Sequence, residues 1–233
     1  MHLLMAAVVA EPRRQTLHRR IRVIVGVTIG YNVIEAIIAV AAGSVASSAA
    51  LIGFGLDSTI EVLSAAAVAW QFTRPDPERW EKPTLRVIGV AFFALALYVT
   101  ASSVLALIAQ ERPEHSTVGI VLTAVSVVVM PFLSLAERRA GRELGSATAV
   151  ADSMQTLICT YLSAAVLVGL VANSLLGWWW ADAVAGLVIA GFAVREGIEA
   201  WRGDACATSV GMLLEEHDHD HDHDHEHDHD HER

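Results

Sequence analysis

Six apolar stretches, each long enough to cross a bilayer as a helix, dominate this 233-residue chain: roughly Ile21 to Gly43, Ser47 to Phe72, Leu85 to Ala109, Thr117 to Leu135, Ala147 to Ala172 and Trp178 to Trp201. A spanning helix needs about 20 mostly apolar residues, and inside lipid the backbone must satisfy its own hydrogen bonds. The expected fold class is therefore an all-α membrane protein, a bundle of six transmembrane helices. Composition agrees, since 54% hydrophobic against 18% charged residues, with a mean hydropathy of +0.45, is more apolar than a soluble domain tolerates. The connections are short and leave no room for an extramembrane domain between spans.

Basic residues sort sharply between the connections. Arg13, Arg14, Arg19, Arg20 and Arg22 precede the first span; Arg74, Arg79, Lys82 and Arg86 follow the second; Arg138, Arg139 and Arg142 follow the fourth; Arg195, Arg202 and Arg233 come at the end. The opposite side has Arg112 alone. By the positive-inside rule both termini are expected in the cytoplasm and the protein in the cell (inner) membrane, with Trp178, Trp179 and Trp180 in the outer interfacial belt. The apolar run at the extreme N-terminus carries its arginines after it rather than before it, so it reads as a retained segment and not a cleaved signal. The chain divides into a cytoplasmic N-terminus at 1–19, a six-helix transmembrane transport domain at 20–202 and a disordered His/Asp-rich cytoplasmic tail at 203–233.

The second span holds the costliest residues. Asp57 and Glu61 interrupt an apolar run from Ala49 to Ala69, and a carboxylate at the centre of a membrane helix costs roughly 2.5 kcal/mol or more. At spacing i, i+4 they project from one face and form a pair of hard oxygen ligands, or a proton-carrying pair. Gly53 and Ala65 continue their stripe with small residues that permit close helix approach. Such an arrangement implies a transporter of cations.

Other polar stripes lie at matching positions. The first span carries Thr28, Asn32 and Glu35 at i, i+4, i+7, and the fifth carries Asp152, Gln155 and Cys159 at i, i+3, i+7. With a rise of about 1.5 Å per residue, Asp57, Glu61, Gln155 and Cys159 all fall in the middle third of the bilayer, so a shared site is geometrically accessible. Glu35 falls toward the outer side of that level and Asp152 toward the inner side. Asp182 lies near the outer end of the sixth span. Spans three and four carry hydroxyls such as Ser103 and Ser126, plus Pro131, and read as supporting walls. No His-Glu-x-x-His, Gly-x-Ser-x-Gly or other nucleophile motif is present, so an enzyme is not expected. Two cysteines, Cys159 within a span and Cys206 beyond the last, suggest no disulfide framework.

The formal charge of −10 belongs to the tail: Glu215 to Arg233 contains ten acids and one base, leaving sixteen acids and fifteen bases in the body. Within it His217, His219, His221, His223, His225, His227, His229 and His231 alternate strictly with acids. This composition cannot bury a core and is expected to be disordered. Imidazole is a common ligand of Zn, Cu, Ni and Co, and the flanking carboxylates attract divalent cations, so the tail reads as a collector of metal at many interchangeable weak sites.

The run Asn32-x-x-Glu35, Gly43-Ser44, Ser48-Ala49-Ala50-Leu51 and Asp57-x-x-x-Glu61 resembles the first two helices of the cation diffusion facilitator family of divalent-metal/proton antiporters. Ala151-Asp152-Ser153-Met154-Gln155-x-x-x-Cys159 followed by Trp180-Ala181-Asp182 is similar to that family's fifth and sixth helices, so the likeness runs from about Arg20 to Arg202. The resemblance implies a tetrahedral transport site, with Asp57 and Glu61 as the helix-two pair and Gln155 and Cys159 in the places usually held by His and Asp. It also implies the short branch of the family, without the cytoplasmic metal-binding domain, and it allows a homodimer.

The functional expectation is proton-coupled efflux of a divalent transition metal, with protons as the exchanged ions and the lipid bilayer as its setting. No resident cofactor and no nucleic-acid partner are expected. A thiol among the ligands favours Zn, Cd or Co, whereas carboxylates and an amide oxygen suit Mn or Fe. The tail points to zinc first, with cobalt, nickel, iron, manganese and cadmium as alternatives. The alternative expectation is a membrane-anchored metal-storage or sensing protein whose activity resides in the tail.

Overall fold

A computed structural model describes the backbone of residues 2–72, 77–144 and 147–202, and side chains over most of 23–67, 82–143 and 156–202. Six helices follow one another: α1 (His2–Ala46), α2 (Ala49–Phe72), α3 (Pro77–Ala109), α4 (Thr117–Leu144), α5 (Ala147–Leu176) and α6 (Trp180–Arg202). Among the described residues there is no strand, in agreement with the all-α expectation.

Three helices outrun the apolar stretches that announced them by two turns or more. α1 continues without a break across the boundary expected between 19 and 20, α3 begins at Pro77 rather than Leu85, and α4 extends to Leu144 rather than Leu135. The apolar run marks where lipid contact ends, whereas the i to i−4 backbone ladder continues through polar residues until a breaker stops it. Five helices contain stretches long and apolar enough to cross a membrane: Val23–Ala46, Ala49–Ala67, Lys82–Ala109, Thr117–Ala140 and Thr156–Leu176. The sixth, α6, is diluted by Asp182 in its first turn and by Arg195, Glu196, Glu199 and Arg202 in its last two turns. It nevertheless packs inside the bundle, most extensively along α3 and also on α5 and α2.

One end of the bundle is closed by three tight connections. α1 ends at Ser47, whose φ of 52° is left-handed, and the Ser48 amide returns to the Gly43 carbonyl at 3.0 Å. Gly43 is required there, because a Cβ would stand 2.8 Å from the Ile52 amide nitrogen. Ser48 then caps α2, its hydroxyl accepting the Leu51 amide at 3.1 Å, which is the usual service of a serine at this position. Ser116 caps α4 in the same way through the Gly119 amide at 3.1 Å. α5 closes on Gly177 at φ 67°, with the Trp178 amide reaching the Ala172 carbonyl and Trp178 stacked on Trp180 at 5.3 Å. The Glu114 amide bonds the Ala46 carbonyl and Asn173 donates to the Pro113 carbonyl, both at 2.9 Å, which locks the three connections together.

The interior is organised around α2 and α5. Over their apolar stretches 44% and 50% of residues are buried, against 28% for α1, α3 and α4, and α6 is buried to a similar degree, so the acidic pair and the cysteine sit on enclosed helices. One apolar core joins Ala39 of α1, Leu51 and Phe54 of α2, Leu162, Val166 and Leu170 of α5, and Ile189 of α6. A second joins Phe92, Leu95 and Val99 of α3 to Ala190, Ala193 and Ala200 of α6, with Leu56 and Ile60 of α2 against it. Outward faces are apolar too, as at Val33, Ile37, Leu97, Leu105, Val121 and Val128, the pattern of a surface solvated by lipid. Association without a hydrophobic drive relies on close backbone approach. Gly55 supplies it between α1 and α2, where a Cβ would come within 2.9 Å of the Val40 amide nitrogen.

Candidate metal centre

Glu61 is the meeting point of three helices. The Asn32 amide nitrogen of α1 donates to its Oε2 at 2.8 Å, and the Cys159 thiol of α5 donates to its Oε1 at 2.8 Å. Asn32 and Cys159 are both buried, at 7% exposure each. One turn away on α2, Asp57 is also 7% exposed, and its carboxylate makes no hydrogen bond among the described residues. The Asn32 Oδ1 atom is buried without a hydrogen-bond partner. A carboxylate and an amide oxygen left unpartnered in a membrane interior are each costly. Both become useful when a cation is present to accept their lone pairs.

Four of the residues expected from the sequence are thus brought together: Asn32, Asp57, Glu61 and Cys159. Gln155 and Asp152 lie on α5 one and two turns before Cys159, and their side chains fall outside the described residues. His217 to His231 likewise lie outside them. Among the described residues, no group of three or more His, Cys, Asp and Glu side chains is arranged to hold a metal ion. The described portion of the centre is the Glu61–Cys159 pair, with Asp57 a turn along the helix and Asn32 bridging from α1.

Glu35 occupies a different setting. Its Oε2 accepts the Ser58 hydroxyl of α2 at 2.9 Å, its Oε1 accepts the Ser126 hydroxyl of α4, and Tyr31 shares a 2.7 Å hydrogen bond with Ser126. At 2% exposure this carboxylate is saturated by hydroxyls and ties α1, α2 and α4 into one unit. α4 is therefore more than a wall, since Ser126 reaches the buried acid.

Asp182 stands at the closed end of the bundle. Its Oδ1 accepts the Ser48 hydroxyl and its Oδ2 faces the Ala50 amide at 3.4 Å. The acid at the start of α6 therefore completes the cap of α2, whose N-terminal amides and dipole favour a negative charge. Ser48 and Asp182 are 134 residues apart, so only the fold shows why the run Ser48-Ala49-Ala50-Leu51 and the acid of Trp180-Ala181-Asp182 occur in one chain.

Glu137 of α4, which is 1% exposed, and Glu196 were not singled out from the sequence. Glu196 of α6 is half-buried and close enough to Asp57 and Glu61 to act on both electrostatically. Its signal was available as an acid placed three residues after Ala193 and four before Ala200 on the buried face of α6, but its neighbours Arg195, Glu199 and Arg202 disguised it as part of a solvated end.

Comparison with known proteins identifies the family. Residues 25–202 match the family described as the cation efflux transmembrane domain, which covers every helix-borne residue of the centre. A stretch of 77 residues is 38% identical to the cation-efflux pump FieF of Shewanella oneidensis, covering 33% of this chain and 26% of that protein. With its apolar helices, the chain is an integral, multi-pass membrane protein.

Proposed function

The chain belongs to the cation efflux family, and from that premise we propose that it is a proton-coupled efflux transporter of divalent transition-metal cations, zinc foremost. The observation that carries the proposal is the pair on α2: a buried, unpartnered Asp57 beside a Glu61 already held by an amide from α1 and a thiol from α5. The name of the Shewanella oneidensis relative, a cation-efflux pump, supports the same reading.

The proposed ligands are Asp57, Glu61 and Cys159, which would have to close up around the cation to reach ligand distance, with Gln155 as the fourth and Asn32 holding Glu61 in place. Metal ligation requires deprotonated carboxylates and a thiolate, so metal binding and proton release are one event. In this reading the Cys159 proton that bridges to Glu61 leaves when a cation takes its place, and protons arriving from the opposite side return the bridge and discharge the metal. α2 and α5, which carry the proposed ligands, are the elements whose relative tilt would open the centre to either side. The arginine distribution supports a cytoplasmic side for both termini.

Zinc flux into proteoliposomes tests the proposal. The intact chain accumulates Zn²⁺ down an opposing proton gradient, and Asp57→Ala and Glu61→Ala each abolish accumulation; full flux in either variant would overturn the assignment. The alternation of His and acid from His217 to His231 favours a second role for the tail in gathering metal. Deleting Glu215 to Arg233 then lowers the metal bound per chain while leaving the flux.

A further inference from the structure

α6 has two half-buried acids that the transport reading leaves without a task, and of these Glu199 is paired with Arg195 whereas Glu196 is not. On α6, Ala193 and Ala200 are buried against α3, and Leu56 and Ile60 of α2 pack on the same cluster. Glu196 lies at i+7 from Ile189, hence on the same side of α6, and Ile189 packs at Gly53, where a Cβ would stand 3.7 Å from its Cδ1, one turn before Asp57 and two before Glu61 on the same stripe of α2. The sequence spacing of both helices therefore agrees with the electrostatic reach of Glu196 onto the α2 pair. Glu196 forms no hydrogen bond or ion pair among the described residues. The basic residue next to it, Arg195, is directed to Glu199 at 2.8 Å and is itself 57% exposed.

The end of the bundle where Glu196 sits is the end of the α2–α3 and α4–α5 connections, and it is rich in arginine, including Arg86, Arg138 and Arg142. A basic rim repels a divalent cation approaching the centre. A half-buried carboxylate placed between that rim and the α2 pair has the opposite effect, because a charge flanked by low-dielectric walls focuses its field along the opening. The Asn32 Oδ1 atom, on the amide that bonds Glu61, is buried without a hydrogen-bond partner, so the α2 pair toward which Glu196 acts offers an acceptor oxygen that no donor satisfies. We infer that Glu196 is a cation-attracting residue of the pathway: it draws a divalent metal from the α2–α3 end of the bundle toward Asp57 and Glu61 without itself being a ligand of the transport centre.

This inference rests on the transport reading above, and the test separates the two. Initial rates of Zn²⁺ uptake into proteoliposomes are measured against Zn²⁺ concentration for the full chain, Glu196→Gln, Glu196→Asp and Asp57→Ala, at 50 and 500 mM KCl as about the low- and high-screening limits. Glu196→Gln is expected to raise KM about three- to tenfold at low salt, with maximal rate within about twofold of the parent, and the difference is expected to shrink to under about twofold at high salt. Glu196→Asp, which keeps the charge, is expected to stay near the parent KM. An unchanged KM in Glu196→Gln, a KM increase that ignores salt, or a Glu196→Asp variant as impaired as Glu196→Gln would overturn the role of Glu196. Full flux in Asp57→Ala would instead overturn the transport centre itself.

Discussion

Replacing Asp182 distinguishes a cap from a ligand. In the structure its carboxylate accepts the Ser48 hydroxyl and faces the N-terminal amides of α2, far along that helix from Asp57. A hydrogen bond from a neutral donor to a charged acceptor contributes about 1.5–3 kcal/mol, and an anion at a helix N-terminus adds up to about 2 kcal/mol in partly buried settings. Interhelical hydrogen bonds within membranes average nearer 0.6 kcal/mol, and the amide contact here is long at 3.4 Å, so the lower half of these ranges applies. Asp182→Ala should cost about 2 kcal/mol and Asp182→Asn, which keeps an acceptor oxygen but loses the charge, about 1 kcal/mol. For a chain of this size each kcal/mol corresponds to roughly 2–4 °C in Tm, giving a fall of about 4–8 °C for the alanine variant. The assay is thermal unfolding in detergent, paired with equilibrium Zn²⁺ binding below the transition. Unchanged Tm with a loss of one bound Zn²⁺ in Asp182→Asn would refute the capping role and make Asp182 an ion ligand.

Three further outcomes follow from other contacts. Cys159→Ser replaces a soft ligand by a hard one, so Cd²⁺ affinity is expected to fall about tenfold or more relative to Mn²⁺, read by competitive metal binding; an unchanged ratio would remove the thiol from the centre. Glu35→Gln puts an amide NH₂ against one of the two serine hydroxyls that now donate to separate carboxylate oxygens, with an expected cost of about 1–2 kcal/mol in unfolding free energy and no change in the number of metals bound at the centre; loss of a bound metal at unchanged stability would place Glu35 on the ion. Gly55→Leu forces side-chain atoms against the Val40 backbone, so α1 and α2 separate and the yield of folded protein in detergent falls sharply; a normal yield with normal flux would contradict the close approach.

What could be read in advance followed from cost. Asp57 and Glu61 stood out because a charge in an apolar helix demands a reason, and Cys159 could be matched to them because depth along a helix is a simple function of residue number, whereas Asn32 was legible only as part of the polar stripe of the first span. Partners beyond depth were invisible. Ser126 meets Glu35 across 91 residues and Ser48 meets Asp182 across 134, and no periodicity within one helix encodes a contact between two. Helix ends at His2, Pro77 and Leu144 escaped for a related reason, since hydropathy reports the lipid boundary and not the hydrogen-bond ladder. Glu196 was passed over because charge near a helix end normally means solvent.

The central claim is that one divalent cation sits between α2 and α5, and metal-edge X-ray absorption on the chain lacking Glu215 to Arg233, loaded with one equivalent of Zn²⁺, tests it most directly. The account predicts a first coordination shell with one sulfur at about 2.3 Å and oxygen ligands at about 2.0–2.2 Å, the sulfur vanishing in Cys159→Ser and the bound zinc itself lost in the double variant Asp57→Ala/Glu61→Ala. A shell without sulfur in the parent chain, or zinc retained in full by the double variant, would contradict it.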